Sequence, residues 1–291
     1  MKAEAVAKPH AYHGEGVIWA DDWGGGHPAL RYVDMLAGDV LELQPGGDVT
    51  RFHVGDVAAA LRPRAGGGAI VATERGFALT RSVDFADLEH TADLWPSTHE
   101  PRTRFNDGGC APDGSFYMGS MAYDQSEGAA SMWRLAPDRS TSHVFGDVTI
   151  SNGLCWSPDG TLAYYNDTPT RIIWVFDWSA ETGLTNRRPF VRLEDGIGHP
   201  DGLTVDAEGG VWTALFGGSA VRRYDADGSL SEIVEVGPSL VTCPAFGGDD
   251  LDQLFITTSR ENLPDDAEPD AGALFVCTPG IRGQRTIPFT G

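Results

Sequence analysis

A turn followed by a short apolar strand recurs along this chain at a nearly fixed interval, and that period limits the available folds more than any other feature. The clearest copies are PDGSFYMGS at 112–120, PDGTLAYYND at 158–167 and AEGGVWTAL at 207–215, with weaker ones at 27–34, 66–74 and 250–258. Each joins an acidic residue, usually with a glycine, to a run rich in aromatic and β-branched residues, as a hairpin turn entering a strand does. Aligned on Gly68, Gly114, Gly160, Gly209 and Asp252, the copies stand 46, 46, 49 and 43 residues apart. Most are followed by a second strand pair with its own turn, as in DVLELQPGGDVTRFHV, AVRRYDADGSLSEIVEV and ALFVCTPGIRGQRTIPF. Four short strands in about 45 residues make one propeller blade. Six such units account for nearly all 291 residues. The expected fold is therefore all-β: a six-bladed β-propeller of four-stranded antiparallel blades, with residues 1–291 as one domain. A large β-sandwich gives no reason for so regular a repeat.

Charge narrows the partners. With 21 Lys and Arg against 42 Asp and Glu, the formal net charge is −21, which repels phosphate backbones and anionic headgroups. Neither nucleic acid nor a membrane is an expected partner, whereas a small neutral substrate is compatible. The first sixteen residues hold no apolar core of signal-peptide length, and no run approaches the roughly 18 apolar residues of a membrane helix. A cytoplasmic location is expected. Cys110, Cys155, Cys243 and Cys277 form no C-x-x-C pair and read as buried free thiols of a reducing compartment. Self-association is not legible.

Function in a repeat shows at its exceptions. Four lead-ins to the expected innermost strands carry polar residues that the blade does not need: Glu15 in HGEGVIW, Asn106-Asp107 in RFNDGG, Asn152 in SNGLCW and Asp201 in HPDGLTV. Alone, each reads as a surface residue or an Asx turn. Yet Asn106, Asn152 and Asp201 stand 46 and 49 residues apart, matching the blade period, and each blade already has a hairpin turn of its own. In a propeller, Glu15, Asn106, Asn152 and Asp201 would ring one end of the central channel. Two carboxylates and two amides form an all-oxygen set suited to a hard divalent cation such as Ca²⁺, Mg²⁺ or Mn²⁺. Arg104, two residues before Asn106, would bond an oxygen-rich substrate or a developing negative charge. No G-x-S-x-G, H-E-x-x-H, Walker or G-x-G-x-x-G motif is present. His199 is the histidine read as nearest the site, as a substrate contact or a turn residue. The tryptophans read as blade packing.

These residues carry a resemblance. GEGVIW, RFNDGGCAPDGSFYMGSM, SNGLCWSPDG, HPDGLTVDAEGGVW and CPAFGGDDLDQLFITT follow, in order and over nearly the whole chain, the successive motifs of the SMP-30/gluconolactonase/regucalcin-like family. The resemblance implies a propeller with one divalent metal in its channel and hydrolysis of a sugar-derived lactone. It implies Glu15, Asn152 and Asp201 as metal ligands, Asp201 also as general base, and Arg104, Asn106 and Asp124 as substrate contacts, with Tyr123 as the alternative to Asp124. Ca²⁺ is favoured over Mn²⁺, Mg²⁺, Zn²⁺ or Fe²⁺. Tyr123-Asp124 departs from the more acidic pair of the family, in a segment that helps set substrate choice. Other metal-dependent ester or phosphotriester hydrolysis, or metal binding without catalysis, are the alternatives.

Overall fold

The repeat becomes six four-stranded antiparallel sheets in the computed structural model, which describes residues 1–291. Blade 1 runs from Gly14–Ala20 to Val49–His53, blade 2 from Ala60–Pro63 to Glu89–His90 and blade 3 from Thr103–Cys110 to Thr141–Val148. Blade 4 runs from Ser151–Trp156 to Gly183–Arg192 and blade 5 from His199–Val205 to Leu230–Glu235. The first strand of each blade packs against the first strands of its two neighbours, so the six surround the channel. The only helices are two three-residue 3-10 turns. No helix is long and apolar enough to cross a membrane.

The period read from the sequence marks the hairpin between the first and second strands of each blade. Gly68, Gly114, Gly160 and Gly209 all sit there at positive φ, a conformation that glycine adopts without steric penalty. Blade 6 departs from the expectation. Only Val241–Gly247, Gln253–Thr258 and Leu274–Cys277 come from the C-terminal part of the chain; its fourth strand is Glu4–Ala5. The first and last parts of the chain thus close the ring within one sheet. The stretch GQRTIPF, expected to be a strand, instead crosses the far end of the channel. There Gln284 donates to the carbonyls of Trp156 and Val205, and the amides of Phe289 and Thr290 donate to Pro63 and Gly114. With its fourth place taken, blade 6 cannot pair this segment.

The polar lead-ins are not turns before the strands. They lie inside the strands, at β-bulges. Pairing of first and second strands slips between Glu15 and Ile18, Phe105 and Gly108, Ser151 and Leu154, and Pro200 and Leu203. A bulge re-aims the side chains beside it and sharpens the local twist. Here it turns Glu15, Asn106, Asn152 and Asp201 out of the regular alternation.

The glycine after such a residue lets the next blade approach. A Cβ on Gly153 would lie 2.3 Å from the backbone nitrogen of Leu203, across the blade 4–5 junction. Gly153→Ala is expected to lose about 3 kcal/mol or more, the upper range of core overpacking, because backbone rather than a movable side chain must yield. Gly209→Ala, at φ +87 with open space around it, is expected to lose only about 1–2 kcal/mol from left-handed strain. Thermal unfolding of the two variants side by side reads the difference; equal losses would contradict the close-approach account.

The four cysteines are unpaired. Cys110 and Cys243 are buried, while Cys155 and Cys277 are partly exposed, so burial holds for only two. Asn166, the acceptor position of an N-x-T sequence, is fully buried. Its amide nitrogen donates to the Asp201 carbonyl at 2.6 Å and to Thr213 at 3.0 Å, which makes it a brace between blades 4 and 5.

Candidate active site

The bulges deliver their side chains to a cleft at one mouth of the channel. Glu15, Arg104, Asn106, Asn152 and Asp201, from blades 1, 3, 3, 4 and 5, all line it, and each is at most 5% exposed. The cleft spans about 440 Å³ including its open mouth, a size suited to a small molecule.

The two amides and the guanidinium are held from behind. Asn152 donates its amide to Thr168 Oγ1 at 2.7 Å, and Thr168 donates in turn to the Pro200 carbonyl at 2.8 Å. Asn106 Nδ2 donates to the Ser151 carbonyl at 2.8 Å and more weakly to Asn152 Oδ1 at 3.3 Å. Arg104 Nη1 donates to Asn106 Oδ1 at 2.6 Å and to the Phe105 carbonyl at 3.0 Å. The ring of Tyr123 lies 5.8 Å from the guanidinium carbon, and its hydroxyl donates to Glu74. Of the two amide oxygens, Asn106 Oδ1 is thus engaged by a cation at close range. Asn152 Oδ1 keeps only the longer contact.

The carboxylates are buried against one another. Burial first, and then the charge of Asp107, raises the pKa of Glu15; burial first, and then Glu15 and Asp107, raises that of Asp201. Glu15 and Asp107 accept bonds only from the backbone N–H that follows each of them. None of the three carboxylates forms an ion pair, although charge removed from water is tolerated chiefly when it is paired or bound to a metal. Nowhere in the chain do three or more His, Cys, Asp or Glu side chains cluster at metal-binding spacing. A cation here would therefore need the amide oxygen of Asn152 beside Glu15 and Asp201. That all-oxygen donor set suits a hard divalent ion.

Of the residues read from the sequence, Asp107, Tyr123, Asp124 and His199 lie outside the cleft lining. Asp124 is exposed, and its carboxylate accepts from the amide and hydroxyl of Ser126 at 3.1 and 2.7 Å, closing a local turn; Gln125 takes the place in the lining. His199 is exposed and also outside. The histidine that lines the cleft is His13, with Glu261 beside it. His13 is buried, and desolvation first, then the charge of Arg104, lowers its pKa to about 3, so the ring is neutral. Its position two before Glu15 was the available signal. Glu261 opens a polar stretch that read only as a loop.

Known proteins resemble this chain over nearly its whole length. The family described as SMP-30/Gluconolactonase/LRE-like region matches residues 13–260. Regucalcin of Danio rerio is 32% identical over 100% of this chain and 99% of its own. A 6-deoxy-6-sulfogluconolactonase of Pseudomonas putida is 30% identical over 92% of this chain and 93% of its own. Among solved structures, a calcium-binding protein, regucalcin, from Agrobacterium tumefaciens superposes with a TM-score of 0.87 at 30% identity, covering 99% of this chain and 97% of the other.

Proposed function

Because the chain belongs to the SMP-30/gluconolactonase/LRE-like family, we propose that it is a metal-dependent lactonase that opens a sugar-derived lactone at this mouth of the channel. The observation that carries the reading is the convergence of two carboxylates outside any ion pair, an amide oxygen and a guanidinium in one buried cleft. Glu15, Asn152 and Asp201 would hold the cation, Ca²⁺ first among the hard divalent ions. When bound, such an ion supplies positive charge that polarises an ester carbonyl and makes a nearby water more acidic.

The side chains supply the rest. Asp201 takes a proton from the attacking water as its oxygen bonds to the carbonyl carbon. Arg104, fixed by Asn106 and the Phe105 carbonyl, faces the negative charge that grows on the former carbonyl oxygen. The tetrahedral centre collapses, the ring C–O bond breaks, and the proton held by Asp201 passes to the departing alkoxide. The product is an open hydroxy acid. Asn106 positions Arg104 and the substrate ring. The proposed contact of Asp124 with substrate rests on the family resemblance alone, since that side chain closes its own turn.

A binding role without turnover is the second reading, favoured by the description of the Agrobacterium relative as a calcium-binding protein. Product analysis with calcium present separates the readings. Opening of an aldonolactone panel supports the lactonase, turnover of a phosphotriester alone moves the chemistry to phosphorus, and calcium binding with no turnover leaves a binding protein.

The raised carboxyl groups give a pH signature. A carboxyl whose folded pKa exceeds its unfolded value stabilises the fold while protonated; that contribution is lost as pH rises through the raised value. For Glu15 the window runs from the ordinary carboxylate range up to about 8. A cation bound to the ionised groups offsets the loss. The gain in Tm on adding calcium to chelator-treated protein is expected to widen between about pH 5 and about pH 8. A gain that narrows over that interval would contradict the ligand assignment.

A further inference from the structure

The wall of the cleft made by blades 1 and 6 has chemistry that the reaction above does not use. His13 and Ser259 pair across the junction of these blades, 246 residues apart in sequence, with Nδ1 and Oγ 2.8 Å apart. Ser259 Oγ also accepts the Glu261 amide at 2.9 Å, and a Glu261 carboxylate oxygen lies 3.7 Å from His13 Nδ1. The His13 amide donates to Asp34 Oδ1 at 3.1 Å, which fixes the backbone that carries the ring. Nε2 bonds nothing in the protein and stays open to the cleft that His13 lines, although the residue is only 6% exposed.

The carboxylate beside Nδ1 favours the proton on that nitrogen, leaving Nε2 as an acceptor. The blade 1–6 wall then presents an imidazole acceptor and the Glu261 carboxylate. Blade 3, which carries Arg104 and Asn106, stands opposite blade 6 in a six-membered ring. Arg104 is the only Lys or Arg in the lining.

We propose that His13, positioned by Ser259, and Glu261 form an acceptor wall that reads the hydroxyl groups of the substrate, so that the cleft selects a polyhydroxylated, uncharged lactone over a deoxygenated or anion-tailed one. The proposal deepens the lactonase reading and rests on it. A buried acceptor left without its hydroxyl penalises an analogue that lacks it. A phosphate or sulfonate tail placed against Glu261 meets like charge.

The test uses the calcium-loaded full chain on an aldonolactone, on unsubstituted δ-valerolactone and on a 6-phospho-aldonolactone. His13→Leu is expected to raise KM for the aldonolactone by about 10–100-fold, the worth of a buried hydrogen bond, and to change kcat/KM for δ-valerolactone by less than about twofold. His13→Gln, which keeps an acceptor, recovers part of the loss. Glu261→Gln, at a partly exposed position, is expected to shift preference toward the phosphorylated lactone by about tenfold. Equal effects on all three lactones, or none, overturn the proposal. Should the wild-type protein open no lactone, the lactonase reading falls, and calorimetry with a hexitol tests the wall by itself. Binding that weakens at least about tenfold in His13→Leu upholds it; equal binding, or none to wild type, overturns it.

Discussion

Asp201→Asn is expected to lower kcat for an aldonolactone by about 10²–10⁴-fold, the contribution of a positioned general base, while the protein stays folded. The substitution keeps size, shape and one oxygen donor, so the cation site is weakened less than the proton acceptor is. The brace on this residue survives as well, because Asn166 bonds the backbone carbonyl of Asp201 and not its side chain. Stability should move the other way. Burial and the neighbouring carboxylates disfavour the charge on Asp201, so removing it should leave the metal-free variant at least as stable as wild type. Thermal unfolding in chelator and turnover in calcium read the two effects together. Lost turnover with lost stability would mean that Asp201 is chiefly structural; near-normal turnover would remove it from the base role.

The second large effect is expected at Arg104. Arg104→Met keeps the length and apolar body of the side chain and removes the charge that faces the reacting carbonyl. By comparison with other preorganised stabilisers, kcat/KM should fall by about 10²–10³-fold. Arg104→Lys is expected to recover little. A single ammonium cannot hold Asn106 Oδ1 and the Phe105 carbonyl together as the guanidinium does, nor can it lie as a flat plate beside the Tyr123 ring. Full rescue by lysine, measured as kcat and KM separately, would reduce the role of Arg104 to charge alone.

The sequence carried the fold because each blade repeats one local event, a glycine at positive φ that turns the first strand into the second. It carried the residues of blades 3, 4 and 5 for the same reason, since Asn106, Asn152 and Asp201 keep the period. What it hid was produced by ring closure. The fourth strand of blade 6 comes from Glu4–Ala5, and the His13–Ser259 contact forms only when the two parts of the chain meet; neither leaves a local pattern. The bulges were also hidden. A polar pair followed by glycine reads as a turn until its strand is seen to continue on both sides, as Thr103–Cys110 does. His199 illustrates the opposite case: two positions from Asp201, it would share that residue's face in a regular strand, but the bulge between Pro200 and Leu203 re-aims Asp201 and leaves His199 exposed outside the cleft.

The central claim is that this cleft opens lactones only when a divalent cation completes it. Chelator-stripped protein is therefore to be followed by proton release on an aldonolactone while calcium, and then each alternative ion, is added back. The account predicts background opening without metal and a saturable, metal-dependent rate well above it. Calcium binding seen by calorimetry on the same sample, with acid release at the spontaneous rate under every ion, would contradict it.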